Sequence, residues 1–440
     1  MQRISRWVLG GSVDANGWYL CLEIFWSSIY GVASGFTTAL AVRLGASNTA
    51  ISWMTSGAAL SALLIVPLAG RFLQRRAKRR RLILFALFLS RASALLFIVT
   101  PLVRQSSVAP GLLVILISLL ATVPMHVFNV GFPPFLSEAI PLAERAKVFA
   151  ARNTLASVTG ISFSVIFGWA LVAMPFPLNY QVMFFIGFIF ATLSSYYLAR
   201  VRVEEPALAL EPPPAPVPAA PVAPRPPLRQ RLGSLWAELQ AERGFVRFNV
   251  NTFLHAFGMW MAGPLYTLYL LRELGLGENW LGILGAVTSV SAILGYQVWR
   301  RVIERWGEPN TLKLTMLLLG AYPLLLGLSG WPPVILLAGA VHGLVSAGVS
   351  LAHFNTQLRV LPPAKGHAFT ALNMTFMNSG IMVAPLIGVA LANRFGLGVT
   401  LVACGLVAIL GATSFYLWPV EAPALRPGAR AAADASPAAN

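Results

Sequence analysis

The fold class predicted is an all-α integral membrane protein, with twelve transmembrane helices arranged as two six-helix pseudo-symmetric halves. Three observations predict it: an extreme apolar composition, apolar runs of membrane-spanning length, and a proline-rich divide between two similar flanks. Of the 440 residues, 57% are hydrophobic and 11% charged, with a mean hydropathy of +0.71. A soluble domain carries about 25% charged residues, so this chain cannot clothe itself in a polar shell. Its apolar runs recur at about 20 residues, the length at which a helix crosses about 30 Å of hydrocarbon. Strands alternating apolar and polar residues are absent, which excludes a membrane β-barrel.

The divide lies at Glu204–Gln230. Ten of the twenty-two residues from Pro206 to Pro227 are proline, and alanine fills half of the rest. Proline fixes φ and lacks an N–H, so no helix forms there, and the segment reads as an extended, solvated linker. Leu228, Leu232, Leu235, Trp236 and Leu239 then share one helical face, which reads either as a helix lying on the membrane or as one packed on the bundle ends. The expected organisation is a six-helix half over 1–203, the linker and amphipathic helix over 204–245, a second half over 246–420 and a disordered tail over 421–440.

In order, the expected spans are 18–42, 48–70, 82–103, 108–133, 149–173 and 180–200, then 246–271, 279–299, 312–329, 333–357, 367–392 and 398–418. Trp18, Trp280, Trp299, Trp331 and Trp418 fall near span ends, where amphipathic rings prefer the interface. With the N-terminus in the cytoplasm, 27 of the 32 lysines and arginines fall on that side and four on the other, with Arg91 inside a span. This bias follows the positive-inside rule and puts both termini and the linker in the cytoplasm of an inner or plasma membrane. It also accounts for the net charge of +17 without nucleic acid as a partner, because the basic residues lie between spans. Cys21 and Cys404 each sit in an apolar run and read as small hydrophobes. No cofactor or metal is expected.

The halves repeat. One register pairs Phe149 with Phe369, Asn153 with Asn373, Gly160 with Gly380 and Gly168 with Gly388. A second, at the start of each half, pairs Gly35 with Gly263, Gly57 with Gly285 and Ser61 with Ser289. Six-helix halves in parallel repeat describe a transporter that rocks about a central site.

The loop after the second span reads Gly70-Arg-Phe-Leu-Gln74-Arg75-Arg-Ala77-Lys78-Arg79. It is similar to the major facilitator superfamily hallmark Gly-x-Leu-Ala-Asp-Arg-x-Gly-Arg-Arg, matching at Gly70, Arg75, Lys78 and Arg79. It departs from it at Gln74 and Ala77. The second half keeps Glu304, Arg305 and Gly307 at the corresponding place. The chain resembles that superfamily over nearly its whole length outside the linker and tails. The resemblance implies alternating access, with these loops as a cytoplasmic gate; the missing acid at Gln74 weakens that latch in the first half. The resemblance also implies that spans 1, 4, 7 and 10 line a central cavity. The span-4 arginine of the superfamily's antiporters is absent, since that span reads Pro124-Met-His126-Val-Phe-Asn129.

Charged and titratable groups within spans are costly and mark function by default. Glu23, His126, His255, His342 and His353 fall on spans 1, 4, 7 and 10, and Arg91 on span 3. Glu23 reads as a proton or substrate group, or as a static partner of Arg91. Histidine titrates near neutral pH and suits coupling, but is also a common interhelical hydrogen-bond former. Asn129 and Asn251 offer polar contacts to a ligand, and Trp260 an aromatic wall. The expected function is secondary transport of a small organic solute by a monomer among membrane lipids, coupled to protons, with efflux placed ahead of uptake or facilitation. No cluster of catalytic acids or phosphate-binding Gly-Lys loop points to an enzyme. A receptor or lipid scramblase on the same fold is the rival from another class.

Overall fold

The computed structural model describes residues 15–74, 79–103, 109–203, 233, 237–362 and 366–420. The proline-rich linker, the 421–440 tail, and Arg75 and Lys78 of the gate loop lie outside them. Among the described residues there are twelve long helices and no strand. They are α1 (Ala15–Gly35), α2 (Asn48–Gln74), α3 (Arg79–Val99), α4 (Pro110–Ala139), α5 (Leu142–Ala173) and α6 (Leu178–Arg200), then α7 (Arg243–Leu268), α8 (Glu278–Trp306), α9 (Glu308–Leu328), α10 (Pro332–Val360), α11 (Gly366–Phe395) and α12 (Leu397–Leu417). Lipid offers no hydrogen bonds to the backbone, so a chain this apolar has helix as its one open-ended solution. Prolines at the first turns of α4 and α10 cost no hydrogen bond there. Gly307, at φ 76°, ends α8 and starts α9 in a left-handed turn that a side chain would strain.

Ten of the twelve are long and apolar enough to cross a membrane by composition alone, and α1 and α7 are not among them. These two carry Glu23, Asn249, Asn251 and His255 in their interiors. Both are also irregular at the same end. A short helix, Thr37–Arg43, continues α1 beyond Phe36, and a π-helical turn, Tyr269–Glu273, continues α7.

Each half packs alike. α1 lies against α5 and α6 while α3 and α2 flank α4; correspondingly, α7 lies against α11 and α12 while α9 and α8 flank α10. The halves meet through α2 with α11 and α5 with α8. Chain direction alternates, so α1 begins and α12 ends on one face, here the terminal face, and α2 and α8 begin on the opposite, distal face. The cores follow this division. Towards the distal face one apolar cluster spans both halves, from Ile29, Phe36 and Tyr180 to Met261, Leu265 and Leu401. Towards the terminal face it gives way to two clusters, one per half, around Leu20, Leu87 and Leu198 and around Phe248, Leu312 and Phe415. Leu239, the last residue of the post-linker apolar face, packs on the second of these.

Candidate functional site

The distal end is closed by bonds between halves. Arg43, at the end of the short helix after α1, meets Glu278 at the start of α8, with Nε 2.5 Å from Oε1 and a second guanidinium nitrogen 2.8 Å from Oε2. This two-pronged geometry is the strong form of a guanidinium–carboxylate pair. Tyr180 on α6 donates a third bond to Glu278 Oε1 at 3.0 Å. The Glu278 side chain is 2% exposed and that of Arg43 51%, so water screens the cation more than the anion. The bond to Glu278 pushes the Arg43 guanidinium further up, and it stays cationic. A second bracket joins the same face. Arg272, beyond α7, donates to Asn48 Oδ1 and to the Ala46 carbonyl. Asn48 donates to Asn393 of α11 at 2.9 Å, and Asn393 donates to Thr49 at 3.2 Å. Between the brackets α5 and α8 touch backbone to backbone. The Ser164 hydroxyl donates to the Gly282 carbonyl at 3.1 Å, and a Cβ at Gly282 would lie 2.3 Å from the Ser164 carbonyl oxygen.

The terminal end differs. Along the α5 face that meets α8, burial falls from Gly168 through half-buried Ser164 and Gly160 to exposed Asn153. Together with the split core, this shows the halves parting towards the terminal face.

Glu23 and Arg91 come together inside the first half, with a third partner. One Glu23 oxygen lies 3.5 Å from an Arg91 nitrogen and the other 2.9 Å from an Arg152 nitrogen. Ser194 of α6 donates to Glu23 at 3.1 Å. Arg91 has four further partners: its terminal nitrogens donate to the Ala191 carbonyl and to the hydroxyls of Ser194, Ser195 and Ser27 at 2.8–3.0 Å. Arg152 donates to the Leu20 carbonyl and lies over the Phe132 ring at 5.8 Å. All three charged residues are buried, so the cluster crosses α1, α3, α5 and α6 and carries two cations to one anion.

The other singled-out residues do not form one pocket. On α4, His126 Nε2 is 2.9 Å from Ser61 Oγ of α2, and Asn129 is exposed. On α7, Asn251 and His255 both turn to α12. Asn251 donates to the Trp418 carbonyl at 2.9 Å, and His255 Nδ1 lies 3.0 Å from the Ala408 carbonyl. A carbonyl only accepts, so Nδ1 carries the proton. Asn251 Oδ1 and His255 Nε2 are buried with no partner. Trp260 stands edge-on to Phe253 at 5.8 Å. His342 lies against Tyr322 at 4.2 Å, and Tyr322 against Tyr266 at 5.1 Å. Of the gate-loop residues, Gly70 lies about one turn before the end of α2, Arg79 opens α3, and Glu304 pairs with Arg300 of its own helix at 3.8 Å beside exposed Arg305.

Sequence reasoning missed Arg152, Arg43, Glu278 and Tyr180 as parts of the machinery. Arg152 passes for one of the loop cations near the start of α5, and Arg43 for a span-end anchor. Extending the repeat offers one signal: Arg43 and Arg272 stand at the ends of corresponding helices.

The sequence pattern of the Major Facilitator Superfamily matches residues 19–246 and 248–439. No curated protein sequence matches the chain. Among solved structures, it is similar to a bacterial homologue of the iron transporter ferroportin in an inward-facing state, with TM-score 0.71 and 12% identity, covering 92% of this chain and 99% of that one. It is also similar to a mutant form of the nucleoside transporter NupG, with TM-score 0.65 and 12% identity over 91% and 99% of the two chains. A D-xylose–proton symporter gives TM-score 0.63 and 14% identity over 96% and 98%. At these identities the likeness is one of fold. The family match across both halves, on twelve helices packed as a repeated pair of six, carries more: the chain is a multi-pass transporter, not an enzyme, and belongs to the Major Facilitator Superfamily.

Proposed function

We propose that this transporter moves a small organic solute across the inner or plasma membrane by alternating access, as a monomer, with both termini in the cytoplasm, in the direction of export. The observation that carries this reading is the one-ended closure. Bonds between halves gather at the distal face, at Arg43–Glu278 and Arg272–Asn48, while the core divides in two towards the terminal face. With the charge bias of the loops, the distal face is the outer one, and this is a state open to the cytoplasm. Rocking to the other state requires both brackets to part.

Protons are the coupling ion in this reading, taken up by histidines on cavity helices. His126 and His342 are half-buried and are the first candidates. One observation favours a second reading, proton-independent facilitation: Glu23 is counter-ion to two arginines. Proteoliposomes loaded with a solute panel decide between them. The coupled reading predicts efflux driven by an imposed pH gradient and lost in His126→Gln or His342→Gln. Flux that ignores the gradient and both substitutions establishes the facilitator. Absence of flux for the whole panel overturns the small organic solute as cargo.

A further inference from the structure

The geometry points to an organic-anion site at Arg152, on the first-half side of the gap between the halves. This deepens the transport reading by naming the class of cargo, and rests on it for physiological meaning.

Arg91, Arg152 and Glu23 are 4%, 7% and 3% exposed. Among the described residues this buried cluster holds one positive charge in excess. Arginine does not deprotonate in proteins, so titrating the guanidinium cannot remove the excess. An uncompensated cation within a membrane bundle is costly, and an anion that enters beside it relieves that cost.

The two arginines are not equivalent. Arg91 is surrounded by one carbonyl, three hydroxyls and the far oxygen of Glu23. Its bonds hold α3 to α1 and α6. Arg152 has five N–H donors. One goes to the Leu20 carbonyl and one nitrogen touches Glu23, which leaves donors for an oxyanion. Its helix neighbour Asn153 is exposed on the face that lines the gap. A turn of the Arg152 side chain about its own helix therefore carries the guanidinium from Glu23 towards that opening.

What lies beside it sets the rest of the cargo. Phe132 is under the guanidinium and stacks with Phe128 at 4.9 Å and Phe135 at 6.4 Å along α4. The half-buried Phe132 ring, backed by buried Phe128 and Phe135 and next to a forked cation, suits an amphipathic aromatic carboxylate or phosphate: the ring against Phe132, the oxyanion on the fork. Glu23 then competes with the cargo for one guanidinium, and the cell's inside-negative potential pulls an anion outward, in the export direction.

The test measures binding to the full-length purified protein in detergent, from the concentration dependence of thermal stabilisation. The probes are 2-naphthoate, 2-naphthyl phosphate and the neutral isostere 2-naphthamide. The wild type is expected to bind an anionic probe about tenfold or more tighter than the amide, and Arg152→Gln to lose that preference. Glu23→Gln, which removes the competing carboxylate, is expected to tighten the anions severalfold and leave the amide unchanged. A purely structural cluster would not produce that gain. Equal affinity for anion and amide in the wild type, a preference that survives in Arg152→Gln, or no gain in Glu23→Gln overturns the site. If Arg152→Gln does not fold, the wild type and Glu23→Gln decide alone. Charge-blind binding with intact solute flux sinks the anion site and spares the transport reading; anion-selective binding without flux does the reverse.

Discussion

The two halves of this molecule have the same packing and different interiors. The register that pairs Gly35 with Gly263 also pairs Glu23 with Asn251, and both are buried. Glu23 binds two guanidiniums and a serine. Asn251 binds one backbone carbonyl, that of Trp418 at the end of α12. The interior of one half is thus held by fixed charges and that of the other by neutral groups, Asn249, Asn251, Asn373, His255 and His353, while the second half's Arg359–Glu308 pair lies towards its surface. The distal brackets show the same inequality. Arg43 and Arg272 stand beyond the ends of α1 and α7, and each reaches the start of the second helix of the opposite half. The first finds a carboxylate, which pushes its guanidinium up; the second finds an amide and a carbonyl, and burial pushes it down. Duplicated backbone geometry can therefore be kept while the chemistry it carries diverges, and the charged member of each pair should be the one whose loss is felt.

The largest expected effect breaks the interior comparison. Glu23→Leu leaves Arg91 and Arg152 buried without a counter-charge, which should cost about 3–5 kcal/mol. Asn251→Leu removes one hydrogen bond and a partnerless acceptor together, and should cost about 1 kcal/mol or less. Thermal unfolding of the two variants in the same detergent compares them directly. Equal losses would mean that the charges in the first half are solvated after all.

Next comes the charged bracket. Glu278→Gln keeps a hydrogen-bond acceptor for Tyr180 but ends the two-pronged ion pair, worth about 1.5–3 kcal/mol for hydrogen bonds to charged groups. The equilibrium should then move about ten- to hundredfold towards the distal-open state. Spin labels at Leu102→Cys and Trp331→Cys, exposed on the distal side of opposite halves, would report a longer distance. Exchanging the charges, with Arg43→Glu and Glu278→Arg together, should restore the short one.

Much of this arrangement was legible in the sequence, and the limits are physical. Composition and span length lead to twelve helices because lipid leaves the backbone few choices. The pair Gly168 and Gly388 is fixed by close helix approach, while Gly35, Gly160 and Gly263 have open space beside them and reveal the repeat by pattern alone. The pairing of Arg91 with Glu23 is legible too, since each needs a counter-charge inside the membrane. What hydropathy cannot show is rotation about a helix axis. His255 and Asn251 sit on a span that lines the cavity by resemblance, yet face α12. Nor does it distinguish Arg152 from its basic neighbours in the loop, because burial there is decided by α1 and α4 folding over it. Bonds between halves lie further still from view, since Arg43 and Glu278 are far apart in the chain and each reads as an ordinary span-end charge.

The smallest effect sharpens the comparison. Arg272 has no carboxylate, so Asn48→Ala should cost the second bracket one exposed bond to a neutral acceptor, about 1 kcal/mol, and leave the bond to the Ala46 carbonyl. The loss is shared, because Asn48 also donates to Asn393, and Asn393 in turn keeps Thr49. The Leu102–Trp331 distance should therefore barely change in Asn48→Ala alone. In Glu278→Gln the same substitution should add its full increment, because the neutral bracket then holds the distal face without help. Additivity of the two would show brackets that act independently. A combined shift far beyond the sum would show that the distal face opens as one unit, with the neutral bracket as the reserve that keeps the charged one from being decisive by itself.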